Sequence, residues 1–380
     1  MIYFDNGATT FPKPRCVAQA VGSAFDRYGA NPGRSGHAMS MDTAIKVFEV
    51  RDALASLFGA QNLQDVVFTL NCTHAVNMAV KGALRMGDHV IISDLEHNAV
   101  LRPVHALAQR GAITYSIAQT FPDHSETLAS FARHITPSTR MIACTHASNV
   151  FGTVLPIEEI GKLCRERGLL FLVDAAQTAG VLDVKPRDWG IDFLCMAGHK
   201  GLYGPSGTGV LITALGSSMQ TIIEGGTGSF SGSFDQPDEM PDRLESGTVN
   251  TMGILGLGAG VSFVREKTMR ALYTHEMKLA TEALAMLRDI PGIQLYTPGF
   301  GFGSHVPVIS FNIAGKPSEE TTAALSDKGF ALRGGLHCAP LAHQKMGTLE
   351  TGTARISFGA FNTIEQVVQL CGAINKLARG

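Results

Sequence analysis

The chain has 380 residues and a formal net charge of −2, from 31 basic and 33 acidic side chains. Charged residues make up 17% of the sequence and apolar residues 45%, which excludes a disordered chain and predicts a large buried core. The near-neutral charge gives no electrostatic reason to expect nucleic acid or an anionic membrane as a partner. A chain of this length favours two domains.

The seven cysteines form no Cys-x-x-Cys pair, and residues 1–14 do not resemble a signal peptide. These features predict a protein of the reducing cytoplasm. The uncharged stretches 201–223 and 246–264 each contain five glycines, so neither is expected to span a membrane. The 13 histidines lack metal-binding spacing, and no metal site is expected.

Short apolar runs alternate with helix-length segments through the first part of the chain. We predict strands at 66–69, 89–92, 113–116, 141–144, 169–173, 193–196 and 209–212. We predict helices at 75–84, 100–109 and 157–167. Near-continuous hydrophobic strands separated by crossovers indicate a doubly wound, mainly parallel α/β sheet covered on both faces.

The pattern changes after residue 264. The prediction is one long helix at 266–288, then a strand at 306–312, a helix at 318–328, strands at 331–333 and 354–358, and a helix at 364–377. We therefore expect a large domain, 15–264, and a smaller α+β domain made of 265–380 together with 1–14.

Three of the predicted strands lead into polar residues that suit cofactor chemistry. Strand 169–173 is followed by Asp174, strand 193–196 by Lys200, and strand 66–69 by Thr73 at the start of a helix. Ligands of parallel sheets bind beyond the carboxyl ends of the strands, so these residues are expected to lie close together. An acid, a lysine and a helix N-terminus that can hold a phosphate are what pyridoxal 5'-phosphate requires.

With these residues in this order, the sequence resembles the class V aminotransferase family of fold-type I pyridoxal phosphate enzymes. Within that family it is similar to the cysteine desulfurases, and its compact cysteine segment is similar to the short-loop, sulfur-mobilisation type. The resemblance covers essentially the whole chain and rests on the segments 4–10, 148–152, 174–177, 198–205, 245–248, 333–338 and 352–355. It implies pyridoxal 5'-phosphate as the cofactor and L-cysteine or selenocysteine as the substrate.

The resemblance also implies roles for individual residues. Lys200 would bond the cofactor aldehyde, Asp174 would keep the pyridine nitrogen protonated, and Gln177 would donate to the phenolate oxygen of the ring. His97 would stack on the ring and carry protons. The residues expected to bind the cofactor are Cys72, Thr73, His97, Asn149, Asp174, Gln177, His199, Lys200, Gly247 and Thr248.

Gly247 and Thr248 resemble family residues that reach the phosphate of a neighbouring subunit, as does the glycine-rich run 225–228. This likeness implies a homodimer with shared active sites. Cys72 stands where relatives commonly carry a hydroxyl residue beside the phosphate, and Ala197 stands where many carry Ser or Thr.

Cys338 is implied as the catalytic nucleophile, with Asn149, Arg333 and Arg355 as the substrate-binding residues. A planar guanidinium such as that of Arg355 suits bidentate binding of an α-carboxylate. Cys338 follows His337 in an expected loop, and basic neighbours with solvent access lower the pKa of a thiol. L-cysteine would become L-alanine, with its sulfur held as a persulfide on Cys338 for a protein sulfur acceptor.

Four other cysteines lie in strand or helix patterns and are expected to be core residues, namely Cys144, Cys164, Cys195 and Cys371. Three alternatives remain open on the sequence. They are another activity of the same family (selenocysteine lyase, aminotransferase or epimerase), a nucleotide-binding protein using 204–209, and a non-catalytic persulfide carrier. The run 204–209 lacks the Gly-Lys-Ser/Thr ending of a phosphate-binding loop.

Overall fold

The polypeptide folds around one large sheet and two smaller ones, seen in a computed structural model that describes residues 1–33 and 36–379. The strands are β1 Ile2–Tyr3, β2 Val66–Thr69, β3 His89–Ser93, β4 Thr114–Ala118, β5 Thr139–Thr145, β6 Leu170–Asp174, β7 Phe193–Ala197, β8 Gly209–Ile212, β9 Ile293–Leu295, β10 Val308–Ile313, β11 Phe330–Ala331 and β12 Ala354–Ser357. The helices are α1 Arg15–Arg27, α2 Ala38–Phe58, α3 Cys72–Ala83, α4 Asn98–Gln109, α5 His124–Arg133, α6 Ile157–Arg167, α7 Pro186–Trp189, α8 Thr251–Lys267, α9 Met269–Arg288, α10 Ser318–Asp327, α11 Pro340–Lys345 and α12 Ile364–Arg379.

The large sheet has the strand order β2-β8-β7-β6-β5-β3-β4. Strand β8 runs antiparallel to its neighbours β2 and β7, and the other neighbouring strands are parallel. The prediction of a doubly wound, mainly parallel α/β sheet is confirmed. Each predicted strand of this sheet overlaps an observed one; the run 113–116 is displaced most, because β4 is Thr114–Ala118.

The inner strands of the sheet are hydrophobic along their length because helices cover both faces. On β5, Ile142 packs into the core that includes residues of α2, α6 and α8. Its neighbours Met141 and Ala143 pack into the core that includes residues of α3 and α4. Side chains of a strand alternate between faces, so polar chemistry is left to the residues at the strand ends.

The remaining strands lie in the two small sheets. Strands β12, β10 and β9 form an antiparallel sheet, and β1 pairs in parallel with β11. Phe4, just after β1, is fully buried in a core shared with α9 and α12, so the start of the chain packs with its end. The division into 15–264 and the rest stays a prediction, and a boundary after residue 264 would fall inside α8.

The prediction of one helix over 266–288 is wrong. Residues up to Lys267 belong to α8, and α9 begins at Met269. Between them Thr268 has a left-handed φ of 65°, which ends α8, and its hydroxyl accepts from the backbone N–H of Ala271 as an N-cap. No helix within residues 1–33 and 36–379 is at once long and apolar enough to cross a bilayer.

A close approach of backbones connects α8 to the segment after β7. A Cβ added to Gly260 would lie 2.2 Å from the carbonyl oxygen of Leu202, whereas one added to Gly372 in α12 would meet nothing within 4 Å. We expect Gly260→Ala to lower the free energy of unfolding by about 1–3 kcal/mol, because backbone cannot move aside cheaply.

The matched control is Gly372→Ala, which we expect to leave stability unchanged or raise it by up to about 1 kcal/mol through helix propensity. Urea unfolding of both variants measures the difference. Equal stabilities for the two variants would contradict the close packing of α8 on this segment.

Candidate active site

A cavity of about 210 Å³ lies where β5, β6 and β7 end. Thr145, Asp174 and Ala197, the last residues of these three strands, line it. The structure also brings most of the predicted site residues to this cavity. Those that line it are Cys72, Thr73, His97, Asn149, Asp174, Gln177, His199, Lys200, Arg333 and Arg355.

Lys200 is the partly buried amine of this cavity. Its Nζ makes no hydrogen bond or ion pair with any residue in 1–33 or 36–379. Burial lowers the pKa of Lys200, and the negative charge of Asp174 opposes that change. Burial favours the neutral amine because the low-dielectric surroundings solvate the ammonium poorly. The arrangement therefore holds an amine that can act as a nucleophile or a base.

Asp174 is 3% exposed and its orientation is fixed by two donors. Its Oδ1 accepts from the backbone N–H of Ala176 at 2.9 Å and from the Cys72 thiol, whose sulfur is 3.3 Å away. Burial raises the pKa of Cys72, so the thiol keeps its proton and donates. The Cys72 thiol thus helps to orient Asp174.

The N-terminus of α3 lies at the same edge of the cavity. Asn71 caps the helix, with its Oδ1 2.9 Å from the backbone nitrogen of His74. Thr73 in the first turn and Cys72 both line the cavity. The unpaired N–H groups and dipole of a helix N-terminus favour an anion, and the Thr73 hydroxyl adds a donor.

His97 and Asn149 approach the cavity from other elements. His97 caps α4, and its Nδ1 accepts from the backbone N–H of Ala99 at 3.0 Å, which leaves the ring proton on Nε2. Burial lowers the pKa of His97, so the neutral ring is favoured. Asn149 donates from Nδ2 to the carbonyl of His337 at 2.7 Å, while its buried Oδ1 has no partner.

The N-terminal segment holds the backbone of His199 in place. The sequence did not indicate this contact. The carbonyl oxygen of His199 accepts from the backbone N–H of Thr10 at 3.2 Å and from Lys13 Nζ at 2.7 Å. Its ring Nδ1 is buried without a partner, and burial together with Lys200 lowers the pKa of His199 to about 4. Gln177 donates to the carbonyl of Gly7 at 3.1 Å, so the same segment also orients that side chain.

Arg355 on β12 is 1% exposed and already has partners within the chain. One terminal nitrogen lies 2.6 Å from a carboxylate oxygen of Asp5, and the other donates to the carbonyl of Asn149 at 2.8 Å. Arg333 is placed beside it by a backbone bridge between the two arginines. Asp5 was missed from the sequence because it lies 350 residues from Arg355 along the chain.

Cys338 is exposed and does not line the cavity, but it adjoins residues that do. Its carbonyl accepts from the backbone N–H of Asn98 at 2.7 Å, and His337, which precedes it, lines the cavity. Both His337 and Cys338 have left-handed φ values, 48° and 59°. Such strain in residues other than glycine persists only where surrounding contacts enforce it, and it is common at functional sites.

A side chain in the following helix also holds this segment. Lys345, at the end of α11, lies 2.8 Å from a carboxylate oxygen of Asp94 and 2.8 Å from the hydroxyl of Thr120. Asp94 follows β3 and accepts in turn from Thr120, which follows β4. The segment that carries Cys338 is therefore tied to the edge of the large sheet on both sides.

One expectation about Cys338 is wrong. His337 was expected to be a basic neighbour, but burial and the charge of Arg355 lower the pKa of His337 to about 2, so its ring is neutral. The ring Nε2 is 2.9 Å from the carbonyl of Thr353, which places the proton on that nitrogen.

Gly247 and Thr248 do not reach the Lys200 cavity within one chain. They line a separate cavity of about 340 Å³, together with Asn31 and the run 226–228. An ion pair between Arg51 and Glu245, with 2.9 Å between its atoms, lies in the same region.

Glu96 is a buried acid beside the site that sequence reasoning missed. It is fully buried, and its Oε1 accepts from the hydroxyl of Ser93 and from the backbone N–H of Thr145. Its Oε2 has no partner, and burial raises the pKa of Glu96 to about 8. The group is therefore a neutral carboxylic acid at pH 7, next in sequence to His97.

This protonation state predicts a pH-dependent stability. The folded protein holds a proton on Glu96 between pH 4.5 and about 8 that the unfolded chain releases, so its free energy of unfolding falls as pH rises through that window. Glu96→Gln removes this dependence. We expect its stability relative to the parent to rise by about 1.4 kcal/mol per pH unit across the window.

Urea unfolding at several pH values measures this difference, and Glu350→Gln is the control because Glu350 is exposed. A difference for Glu96→Gln that does not change with pH would show that Glu96 is ionised in the folded protein.

With this geometry established, comparison with known proteins gives a consistent result. A probable cysteine desulfurase of Methanothermobacter thermautotrophicus is 32% identical over 99% of this chain and 94% of its own length. A cysteine desulfurase of Salmonella choleraesuis is also 32% identical, over 100% of this chain and 94% of its own length.

Solved structures agree. The apo structure of a cysteine desulfurase from Thermococcus onnurineus matches with a TM-score of 0.92 at 30% identity, covering 100% of this chain and 95% of that one. An Escherichia coli cysteine desulfurase in an S-sulfonic acid form matches with a TM-score of 0.89 at 28% identity, covering 99% and 94%. The family description Aminotransferase class-V matches residues 2–370. The resemblance drawn from the sequence is confirmed: the chain belongs to the class-V aminotransferase family and has the fold of its cysteine desulfurases.

Proposed function

We propose that the protein is a pyridoxal 5'-phosphate-dependent cysteine desulfurase that converts L-cysteine to L-alanine and holds the sulfur as a persulfide on Cys338. The observation that carries this proposal is the cavity that brings Lys200, Asp174 and Arg355 together beside the anchored Cys338 segment. The names of the relatives support the same activity.

The residues present fit the cofactor. Lys200 is a partly buried amine that makes no hydrogen bond or ion pair with the described residues, and Asp174 is a buried carboxylate held by two donors. The N-terminus of α3 with Thr73 suits the phosphate, and His199 Nδ1 and Asn149 Oδ1 are buried polar atoms that still lack a partner. When bound, pyridoxal phosphate supplies an aldehyde and a protonated ring that accepts electrons from an attached amino acid.

In this proposal the chain's own groups bind substrate and move protons. Lys200 Nζ would hold the cofactor aldehyde and, when free, would accept the α-proton of the substrate; its lowered pKa favours the unprotonated amine relative to a surface lysine. The N–H at Nε2 of His97 is the second group near the site, after Lys200, that can exchange a proton. Arg355 and Arg333 receive the α-carboxylate, and Asn149 Oδ1 accepts a hydrogen bond from bound ligand.

Cys338 performs the sulfur chemistry in the proposal. Its thiolate attacks the substrate sulfur, so that a sulfur–sulfur bond forms while the carbon–sulfur bond of the substrate breaks. The electron pair of the broken bond remains with carbon, which takes up a proton and leaves as alanine. An exposed thiol next to the cavity suits both this attack and later transfer to a protein acceptor.

Replacing the nucleophile tests this assignment. We expect Cys338→Ala and Cys338→Ser to lower alanine formation from L-cysteine at least about a hundredfold while the cofactor remains bound, because only the thiolate can take the sulfur. Mass spectrometry of the parent should show the Cys338 peptide carrying one additional sulfur atom after reaction with L-cysteine.

The control is Cys16→Ala, because Cys16 and Cys338 are the exposed cysteines of the described residues. Normal alanine formation by Cys338→Ala would contradict the nucleophile assignment. If that variant loses turnover of cysteine but keeps turnover of selenocysteine, the same family fold is acting as a selenocysteine lyase.

We also propose that two copies of the chain form a homodimer with shared sites. Helix α2 exposes Met41, Ile45 and Phe48 along one face, each more than half accessible to solvent. Phe48 lines the cavity that contains Gly247 and Thr248. An apolar face of this kind is typical of an interface, and its position would bring Thr248 of each chain toward its partner. Cytoplasmic location stays a prediction.

Sedimentation should give twice the chain mass of 40.4 kDa for the parent. We expect Ile45→Glu to dissociate the dimer and weaken pyridoxal phosphate binding, since a charge in an apolar interface is poorly solvated. Val368→Glu, at an exposed position on α12, is the control. A parent protein that sediments as a single chain would contradict the shared site.

A further inference from the structure

The Arg355 guanidinium is among the largest fully buried side chains of the described residues, with 1% exposure. A buried cation is costly unless a carboxylate compensates it and its N–H groups are hydrogen-bonded. Asp5 supplies the carboxylate, 2.6 Å away, and the carbonyl of Asn149 accepts from the other terminal nitrogen at 2.8 Å. The Nε of Arg355 has no partner.

The position of Asp5 is fixed by its backbone. Asp5 forms a bridge with Ser357, two residues beyond Arg355 on β12. The backbone N–H of Ser357 donates to the carbonyl of Phe4 at 2.7 Å, and Tyr3 donates its hydroxyl to the Asp5 carbonyl at 3.1 Å. The Asp5 carboxylate is thus held at a set distance from the strand that carries Arg355.

Gly7 completes the space around the guanidinium. A Cβ on Gly7 would lie 3.3 Å from the central carbon of the Arg355 guanidinium and 3.3 Å from the Ser357 side chain. Gly7 also lines the cavity. The N-terminal segment therefore supplies Asp5 as the counter-ion of Arg355 and, at Gly7, leaves room for a ligand to approach the guanidinium.

The charges around Arg355 leave one cation uncompensated. Arg333 is next to Arg355 by their backbone bridge; burial lowers the pKa of Arg355, and the positive charge of Arg333 adds to that effect. Arg333 is exposed and, within residues 1–33 and 36–379, has no ion pair with a carboxylate. Two guanidinium groups and one Asp5 carboxylate give a net charge of +1, which matches one carboxylate of a bound amino acid.

We propose that Asp5 is a positioning residue for substrate: it holds the Arg355 guanidinium in its binding orientation and leaves the Arg355–Arg333 pair one positive charge to receive the α-carboxylate. The inference rests on the proposed function, in which Arg355 and Arg333 bind that carboxylate. Asp5 itself touches neither substrate nor cofactor in this assignment; it acts through Arg355.

The test compares Asp5→Asn, which keeps the shape without the charge, with Asp5→Glu, which keeps the charge. In the enzyme loaded with cofactor, we expect Asp5→Asn to raise KM for L-cysteine about tenfold and to weaken L-alanine binding equally, with kcat changed less than about twofold, because loss of the contact that orients Arg355 outweighs the attraction of one additional uncompensated positive charge. Binding of cysteamine, which has no carboxylate, should be unchanged. Asp5→Glu should recover part of the lost affinity.

The matched control is Asp183→Asn, at an exposed aspartate paired with Lys185 at 3.5 Å. A merely structural role of Asp5 would instead lower the melting temperature and cofactor affinity and weaken cysteamine and L-alanine binding alike. That result, or an unchanged KM in Asp5→Asn, would overturn the proposal.

Arg355→Lys separates this inference from the function on which it rests. If the parent forms no alanine from L-cysteine, the proposed function itself fails. If Arg355→Lys leaves KM unchanged, Arg355 does not bind the substrate carboxylate. The proposed role of Asp5 is then also wrong. If Arg355→Lys raises KM, Asp5→Asn should add little in that background, because both changes act on one interaction. Full additivity would overturn the proposal.

Discussion

Compensation of buried positive charge is the constraint on which the site depends. Lys200 and Arg355 both line the cavity, and a carboxylate acts on each of them: Asp174 acts on Lys200 through its charge, and Asp5 contacts Arg355 directly. The compensation differs in degree. Arg355 is paired with Asp5 at 2.6 Å, whereas the Lys200 amine makes no hydrogen bond or ion pair within residues 1–33 and 36–379, and its pKa is lowered by burial. The low-dielectric surroundings therefore strengthen the Arg355–Asp5 ion pair and favour the neutral, reactive amine of Lys200.

The sheet topology explains why these groups meet. Parallel β5, β6 and β7 end together, which places Thr145, Asp174 and the segment leading to Lys200 at one edge. The small sheets position the other residues of the site. Strand β12 carries Arg355, and the N-terminal segment runs beside this strand. A residue near the beginning of the sequence can thus orient one near its end.

The sequence predicted what depends on local pattern. Apolar runs with polar ends located the strands and, with the family resemblance, Lys200 and Asp174. It could not predict features that depend on packing between distant segments, such as the contact of Asp5 with Arg355 or the neutral state of His337. The break between α8 and α9 was also missed, because the left-handed φ of Thr268 leaves no mark in the hydrophobic periodicity.

For the proposed function, the attachment of the Cys338 segment limits how sulfur could leave the protein. The carbonyl of Cys338 accepts a hydrogen bond from Asn98, and Lys345 in the following helix is paired with Asp94. Only a few residues separate Cys338 from Lys345. A segment this short can move Cys338 only a small distance. In the proposed function, a persulfide on Cys338 would therefore have to be collected where it forms, and its acceptor would need a shape that brings the accepting atom down to the protein surface at that position.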